Sequence, residues 1–511
     1  MTKNCLEVIR CLRQKRTTNA WIDAICINQE DIAERNAQVA RMGDTFRKAT
    51  GTAIYVGHLS RKWELLTLPT INEMMTIPDA LYEDLVSCAW FTRTWIVQEV
   101  MLSRRLFFLI GGRRLDLAVV ERHVHEKNLS ETCPYVLKMY MELSHEYGKL
   151  PTFNSFLRPD DPRRSAENHF ELNHWRLREV LVATQSFQYL DPRERLFAIL
   201  PLFAQPLPKP LVLDYSKTVE QVYSDLSWFL LDHGMMETLV FATDVLWDKS
   251  LPSWVVDWRG SRTRCDLFHP GVSTRQEGAW SAGGPPVNKQ SLVTRMGNVL
   301  KIRGLTVDIV TDVSAEILAL PGTNTNAVSE SSEQDVRTCW TQIADWECGR
   351  GTIRKMLSRL GRYSNKGSNG NLGALILKLG LPFPNSAQLA CNRFGKARKG
   401  HYRKGEIEAY FRTGARHLSW AADRCRGRSL FSLANGLAGF GPSASRKGDF
   451  ICVFLGCQLP FILRPLGVGG WKLIGECIIN GIMNGEAVGD LDWSRIMEGE
   501  LVEPLQDLGI M

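Results

Sequence analysis

The sequence lacks the residue spacings that mark metal and disulfide sites. Its thirteen cysteines include no Cys-x-x-Cys pair, and charges run through the N-terminal residues where an apolar signal segment would lie. We therefore expect reduced thiols and a cytoplasmic location. His123 and His125 alternate, but no cluster of Cys, Asp or Glu stands at a metal-binding spacing. Both are expected to be surface histidines, and we predict no metal site.

Motifs for membrane insertion and for common enzyme classes are also missing. No apolar run reaches the roughly 20 residues needed to span a bilayer, so we predict no transmembrane segment. The sequence contains no Walker loop, no GxGxxG fingerprint and no GxSxG elbow. These absences exclude the nucleotide-binding and hydrolase classes that are recognised from such motifs.

Neither sign of charge is in strong excess. The formal net charge is +7 over 511 residues. This small positive excess does not indicate a nucleic-acid site. The stretch Arg393–Arg428 holds eleven Lys and Arg residues against three acids. A nucleic-acid or membrane patch is one interpretation of this stretch, but its sparse aromatic residues favour a solvated helical face.

The N-terminal region contains alternating strand and helix patterns. Six of the seven residues in Trp21–Ile27 are apolar, which is typical of a strand buried on both faces of a parallel sheet. Asn28 is the predicted N-cap of a helix over 30–49, and a second strand is predicted over Thr52–Gly57. Two strands of one sheet joined by a helix imply a right-handed parallel crossover.

The alternation extends on both sides of this unit. The pattern predicts a short helix over 4–15, helix in two pieces over 79–103, and a strand over Leu106–Ile110. This order favours an α/β domain over residues 1–115 with a doubly wound sheet.

A helical region is predicted over residues 116–260. One helix begins at Asp191-Pro-Arg-Glu194, with Asp as the N-cap and Pro at the first position. Another ends at His233-Gly234, a pair suited to a helix C-terminus.

Residues 261–511 are predicted to form a C-terminal α+β region. Strands are expected over Val299–Asp312, and a β-meander with Gly-rich turns is expected over 449–479. Polar tracts at 323–333 and 362–371 are expected to be exposed loops or linkers.

Two long motifs resemble the signatures of a known family. WIDAICINQ at 21–29, followed by ERNAQVARMG at 34–43, is similar to the first signature of the fungal heterokaryon-incompatibility (HET) domain. WFTRTWIVQEV at 90–100 is similar to the second. Segments between 191 and 258, and GDFICVFLGCQLPFILRP at 448–465, resemble later parts of such proteins. The resemblance implies fungal non-self recognition and programmed cell death, with protein partners in that signalling.

The order of these motifs also resembles the TIR domain, to which the HET domain is distantly related. The resemblance implies a TIR-like or flavodoxin-like parallel sheet. It further implies that Glu99 cleaves the N-glycosidic bond of NAD, with Trp95, Arg93 and Asp23 as NAD-binding residues and no cofactor required. A lone carboxylate suits this chemistry, because the nicotinamide leaving group is already cationic.

Each of these residues has a structural alternative. No cation lies three or four positions from Glu99, so an ordinary helical ion pair does not explain it. Glu99 could instead tie its helix to a backbone amide or to Arg93, and Asp23 could bind Arg35 or Arg93. For the whole protein, the alternatives to an enzyme are a non-catalytic signalling or interaction module and an inactive truncated copy.

The truncated copy is considered because the chain starts at the first helix, whereas a HET domain normally opens with a strand. In a flavodoxin-like order of 2-1-3-4-5, that strand lies between the second and the third. Without it, the predicted strand over 21–27 would lose its central partner, and backbone groups would be left unpaired. We therefore expect an N-terminally truncated sheet.

Overall fold

The computed structural model describes several separate stretches of the chain. The described residues are 3–14, 19–57, 77–110, 113–127, parts of 129–141, 177–203, 209–242, 250–259, 281–285, 292–316, and 427–511 apart from three single positions. They divide into two compact units, residues 1–222 and 223–511. Within these stretches, no helix is long and apolar enough to cross a membrane. The predicted boundaries at 115 and 260 stay predictions.

The described part of the first unit contains helices and one three-stranded sheet. The helices are α1 (Lys3–Gln14), α2 (Asp23–Cys26), α3 (Ile32–Lys48), α4 (Asp79–Val86), α5 (Ile96–Met101), α6 (Leu117–Glu126), α7 (Leu177–Ala183) and α8 (Glu194–Phe197), with a 3₁₀ helix at Ala89–Thr92. The strands are β1 (Thr52–Gly57), β2 (Leu106–Ile110) and β3 (Arg113–Asp116). The chain passes to the second unit within α9 (Val219–Asp232).

Strands β1 and β2 form the parallel part of this sheet. Ile54 pairs with Phe108, and β3 returns antiparallel to β2. Both side chains are almost completely buried, and burying a side chain of this size contributes about 1.5–3 kcal/mol. The predicted strands over 52–57 and 106–110 and the predicted helix over 4–15 are confirmed.

The predicted strand over Trp21–Ile27 is wrong. Asp23–Cys26 form a single helical turn, whose last amide donates a hydrogen bond of 2.8 Å to the Ile22 carbonyl. The Asp23 carboxylate accepts a hydrogen bond of 2.7 Å from the next amide in the chain. An apolar run becomes a strand only where a neighbouring strand satisfies its backbone. No strand in the described part of the chain pairs with this run, so its backbone bonds locally.

The predicted N-cap at Asn28 is also wrong. Asp31 caps α3, and its carboxylate accepts hydrogen bonds from the amides of Ala33 and Glu34 at 2.9 and 3.1 Å. Asn28 instead accepts a hydrogen bond of 3.2 Å from the Glu30 amide in the preceding turn. The carboxylate of Asp31 also interacts favourably with the positive end of the helix dipole.

The helix predicted after Asp191-Pro-Arg-Glu194 is shorter than its apolar run suggests. Helix α8 ends at Phe197, and a 3₁₀ helix follows at Leu200–Leu202. Pro201 has no amide hydrogen to donate and restricts the backbone of the residue before it. The α-helical hydrogen bonds therefore stop ahead of this proline.

The described part of the second unit is rich in strands. They are β4 (Val293–Met296), β5 (Val299–Val313), β6 (Arg428–Leu433), β7 (Ala438–Pro442), β8 (Phe450–Phe454), β9 (Phe461–Pro465), β10 (Trp471–Glu476), β11 (Ile478–Ile479) and β12 (Gln506–Ile510). A short helix, α10 (Trp493–Met497), precedes the last strand. The predicted strands over 299–312 and the meander over 449–479 are confirmed.

Five of these strands close into a barrel. The order β5-β12-β10-β9-β8 returns to β5, because β5 pairs with both β12 and β8. Two register shifts bend β5, and its last residues leave β8 to pair with β6. Strands β6, β7 and β11 extend the sheet from there. One long, bent strand therefore belongs to both parts of the sheet.

Several predictions concern residues that the structure does not describe. The polar tracts at 323–333 and 362–371 lie outside the described residues, as does Arg393–Arg428 apart from its last two positions. Arg428 itself contradicts the predicted solvated face. It is fully buried, and its guanidinium lies 2.6 Å from the equally buried carboxylate of Glu476.

Candidate functional site

Glu99 lies on α5 with its carboxylate held by an indole. The Nε1 atom of Trp90 donates a hydrogen bond of 2.9 Å to Oε2 of Glu99. Trp90 is buried, and its ring packs edge-on against Phe91 and Phe108 at 4.9 and 5.9 Å between ring centroids. The carboxylate is therefore fixed against an aromatic wall built from the 3₁₀ helix and strand β2.

The charges around Glu99 come from residues that the sequence had singled out. Burial raises the pKa of the Glu99 carboxyl above its usual range, and the negative charge of Asp23 adds to this. The guanidinium of Arg93 and the hydrogen bond from Trp90 act in the opposite direction. Burial prevails, so ionising Glu99 costs free energy in the folded protein. Arg93 and Asp23 thus both lie within electrostatic range of Glu99.

Trp95, the fourth predicted residue, is half-buried at the start of α5. It lowers the pKa of the Glu194 carboxyl, which burial raises. Glu194 also lies 3.1 Å from Nη2 of Arg35, and this guanidinium stacks 3.7 Å above the ring centre of Tyr215.

The loop that carries Arg93 is bound to a distant segment. The backbone amide and the hydroxyl of Thr94 both donate to the Gln188 carbonyl at 2.9 Å. The Gln188 amide donates to the Thr92 carbonyl at 2.5 Å. These bonds fix the backbone on both sides of Arg93, while its own side chain stays exposed.

The far end of α5 is tied to strand β1. The Ser103 hydroxyl donates to the Glu99 carbonyl and lies 2.5 Å from the Thr52 hydroxyl at the start of β1. Gln98, the neighbour of Glu99, is fully buried, and neither side-chain amide atom has a hydrogen-bond partner among the described residues. Helix α5 thus buries a polar group without compensation, which costs free energy.

One proposed partner in each of two structural alternatives is corrected here. Arg35 bonds to Glu194 and not to Asp23, whose carboxylate accepts from its own helical turn. Glu99 bonds to an indole N–H and not to a backbone amide. Trp90 packs against Phe91 and Phe108 and also donates this hydrogen bond, for which the sequence offered no signal.

The predicted surface position of His123 is wrong. Its ring is fully buried 4.9 Å from the Tyr82 ring, with Nε2 at 3.6 Å from Oδ1 of Asp79. Burial lowers the pKa of His123. His125 is exposed, as predicted. The described residues contain no group of three or more His, Cys, Asp or Glu side chains that could hold a metal ion.

Comparison with known families identifies both ends of the chain. Residues 1–99 match the family described as Heterokaryon incompatibility protein (HET), and residues 401–492 match the Het-6 beta-barrel domain. The chain therefore matches a HET domain over residues 1–99 and a Het-6 β-barrel domain over residues 401–492, and the resemblance found from the motifs is confirmed.

The chain is similar to the Heterokaryon incompatibility protein 6, OR allele, of Neurospora crassa. The two are 20% identical over 591 aligned positions, which cover 94% of this chain and 84% of the relative. No solved structure matches the chain.

Both matches stop short of the structural units that contain them. The HET match ends at Glu99, whereas Glu194 and Tyr215 bond to groups inside it. The barrel match leaves out β5 and β12, although both strands are needed to close the barrel.

Proposed function

We propose that this protein acts in fungal heterokaryon incompatibility, where recognition of non-self leads to programmed cell death in the cytoplasm. The HET match and the name of the Neurospora relative support this role. We further propose that its N-terminal domain produces the death signal by cleaving NAD. The parallel pair β1–β2, with α5 leading into β2, supports a TIR-like arrangement.

The observation that carries the enzymatic proposal is the setting of Glu99. A single carboxylate, oriented by the Trp90 indole at 2.9 Å, has Arg93 and Asp23 in its electrostatic surroundings. Fixed charges of this kind stabilise a transition state well because they need no reorganisation during the reaction. If Glu99 served only to hold its helix in place, burial would add little stability, because burial disfavours the charged form of the carboxylate.

In the proposed reaction the bond between ribose C1′ and the nicotinamide nitrogen breaks. Glu99 stabilises the positive charge that develops on the ribose, water adds to C1′, and a proton is released. The products are ADP-ribose and nicotinamide. Because nicotinamide leaves as a neutral molecule, no general acid is needed.

The remaining site residues bind the rest of NAD in this proposal. Arg93 carries an exposed guanidinium suited to the diphosphate. Asp23 accepts hydrogen bonds from a ribose hydroxyl. Trp95 offers the face of its half-buried ring for stacking.

NAD turnover by the full chain, compared with that of Glu99→Gln, tests the proposal. If the protein cleaves no NAD but still supports incompatibility, it acts instead as a signalling or interaction module.

A further inference from the structure

Gly43, the last residue of the first HET motif, lies where helix α3 meets two other elements. It is buried, and a Cβ atom placed on it would lie 2.6 Å from Cβ of Pro201 and 3.3 Å from Cδ1 of Leu102. An ordinary van der Waals contact of a Cβ atom is 3.4–4 Å. The absence of a side chain therefore allows α3 to approach the 3₁₀ helix at Leu200–Leu202 and the end of α5 this closely.

The segment that carries Pro201 is bonded to α3 on both sides of Gly43. One turn after Gly43, Nη2 of Arg47 donates a hydrogen bond of 2.5 Å to the Pro201 carbonyl. About two turns before Gly43, the Arg35 guanidinium lies 3.1 Å from the Glu194 carboxylate. These two attachments fix the segment along α3, so it cannot easily move away from a larger side chain at position 43.

The other neighbour of Gly43 belongs to the end of the helix that carries Glu99. Leu102 directly follows α5, and the hydroxyl of Ser103 donates a hydrogen bond to the Glu99 carbonyl. The backbone of Glu99 is therefore tied to the turn that packs on Gly43. A displacement of this turn would move Glu99 relative to Trp90, whose indole orients the carboxylate.

A glycine inside a helix lowers stability relative to alanine, because glycine loses more backbone freedom on folding. Close packing, and not helix formation, therefore accounts for the residue at position 43. We propose that Gly43 is a positioning residue, which sets the distance between α3 and α5 and so places the Glu99 carboxylate. The consequence for NAD cleavage rests on the proposed function above.

Four variants of the full chain test this proposal. Gly43→Ala adds the one carbon atom that the packing excludes. Pro201→Gly removes the Cβ atom that it would meet and keeps the carbonyl that Arg47 binds, and the double variant combines both changes. Ala40→Gly is the control, because it makes the reverse exchange at an exposed position of α3. Urea unfolding, amide hydrogen exchange over residues 96–103 and the kinetics of NAD cleavage are measured for each.

Gly43→Ala should lower the urea midpoint and accelerate exchange over 96–103, although alanine favours the helix itself. The crowded atoms must separate by about 1 Å, and a displacement of this size can lower a catalytic rate about 100-fold. We therefore expect kcat to fall about 100-fold with KM nearly unchanged, because the proposed NAD-binding residues precede α5.

In the Pro201→Gly background the same change should be tolerated, because the two positions are coupled. The double variant should then match Pro201→Gly in urea midpoint, exchange and kcat. Ala40→Gly should lower the midpoint slightly, as glycine does in an exposed helix, and should leave exchange over 96–103 and both kinetic constants at their wild-type values.

The proposal is wrong if Gly43→Ala raises the urea midpoint and leaves exchange over 96–103 unchanged. It is also wrong if Gly43→Ala is equally harmful in the Pro201→Gly background. A lower midpoint with unchanged kcat would restrict Gly43 to packing and exclude the positioning role. If no variant cleaves NAD, the proposed enzymatic function fails, while the midpoint and exchange results still decide whether Gly43 sets the packing of α5.

Discussion

Trp90 Nε1 donates a hydrogen bond of 2.9 Å to Oε2 of Glu99, so the carboxylate takes its orientation from a ring packed against Phe108. This bond joins the two ends of the second HET motif. It also links the candidate site to strand β2. The motif therefore supplies both the packed ring of Trp90 and the Glu99 carboxylate that this ring orients.

Glu99 should cost the folded protein stability at neutral pH. Burial raises its folded pKa above the unfolded value of 4.5. The folded state therefore binds the proton more tightly than the unfolded state. The stability that this proton contributes is lost as pH rises through the folded pKa. Glu99→Gln should raise the free energy of unfolding at pH 7 by about 1 kcal/mol. The gain should shrink as pH falls from the folded pKa toward 4.5 and should be absent below 4.5, as followed by urea titration at several pH values. A loss of stability at pH 7 would show that the charge is structurally required.

His123 should make the first unit sensitive to acid. Burial lowers its folded pKa below 6.5, so the unfolded chain takes up a proton first and stability falls as pH drops through 6.5. The contribution is at most about 1.4 kcal/mol per pH unit. His123→Phe should flatten this dependence, measured as unfolding free energy between pH 5 and 8.

The control for this change is His125→Phe on the exposed side of the same helix, which should leave the pH dependence intact. Charges near His123 come from Asp79, Glu126 and Lys127. Burial also raises the pKa of Glu121 to about 7, and its titration opposes that of His123. Comparing variants removes this shared background. Equal slopes in wild type and His123→Phe would contradict the prediction.

The buried pair Arg428–Glu476 should be costly to break from one side only. Both side chains are fully buried at 2.6 Å. Arg428→Met leaves an unpaired buried carboxylate and should destabilise the second unit by about 3–5 kcal/mol. Arg428→Met combined with Glu476→Leu should recover much of this loss. Chemical denaturation of the full chain measures the free energy of unfolding of the two single variants and of the double variant. If the losses of the single variants simply add in the double variant, the two side chains are not coupled.

Closure of the barrel should depend on β12. Leu508 on this strand is buried, and Leu508→Ala should cost about 2–5 kcal/mol. Leu501→Ala is the matched control, because Leu501 is half exposed and its change should stay within about 0.5 kcal/mol. Denaturant titration compares the two variants. Similar small effects would mean that β12 adds little to the barrel.

Local patterns predicted the elements whose stability is local. Strand β2 and helix α1 follow from apolar spacing alone, and both were confirmed. The run over Trp21–Ile27 shows the limit of this reasoning. Its composition suits a strand, but its conformation depends on whether a neighbour pairs with its backbone, and composition carries no information about neighbours.

The contacts of the candidate site were predictable only in part. Asp23, Arg93 and Glu99 were chosen from motifs, and the charges of Asp23 and Arg93 both act on the pKa of Glu99. The ion pair of Arg35 with Glu194 joins residues far apart along the chain, and no periodicity encodes such a pair. The same holds for β5 and β12, whose pairing closes the barrel across the intervening sequence.

The central claim is that Glu99 cleaves NAD, and the most direct measurement is NAD turnover by the full chain. Wild type, Glu99→Gln and Glu121→Gln are compared at equal folded concentration, with ADP-ribose and nicotinamide quantified. Glu121 is the control because burial also raises its pKa, to about 7, and it lies on a different helix. We predict turnover in wild type and Glu121→Gln, and a loss of roughly 10²–10³ in Glu99→Gln. Equal turnover in all three would remove Glu99 from catalysis, and no turnover in any would contradict the enzymatic account.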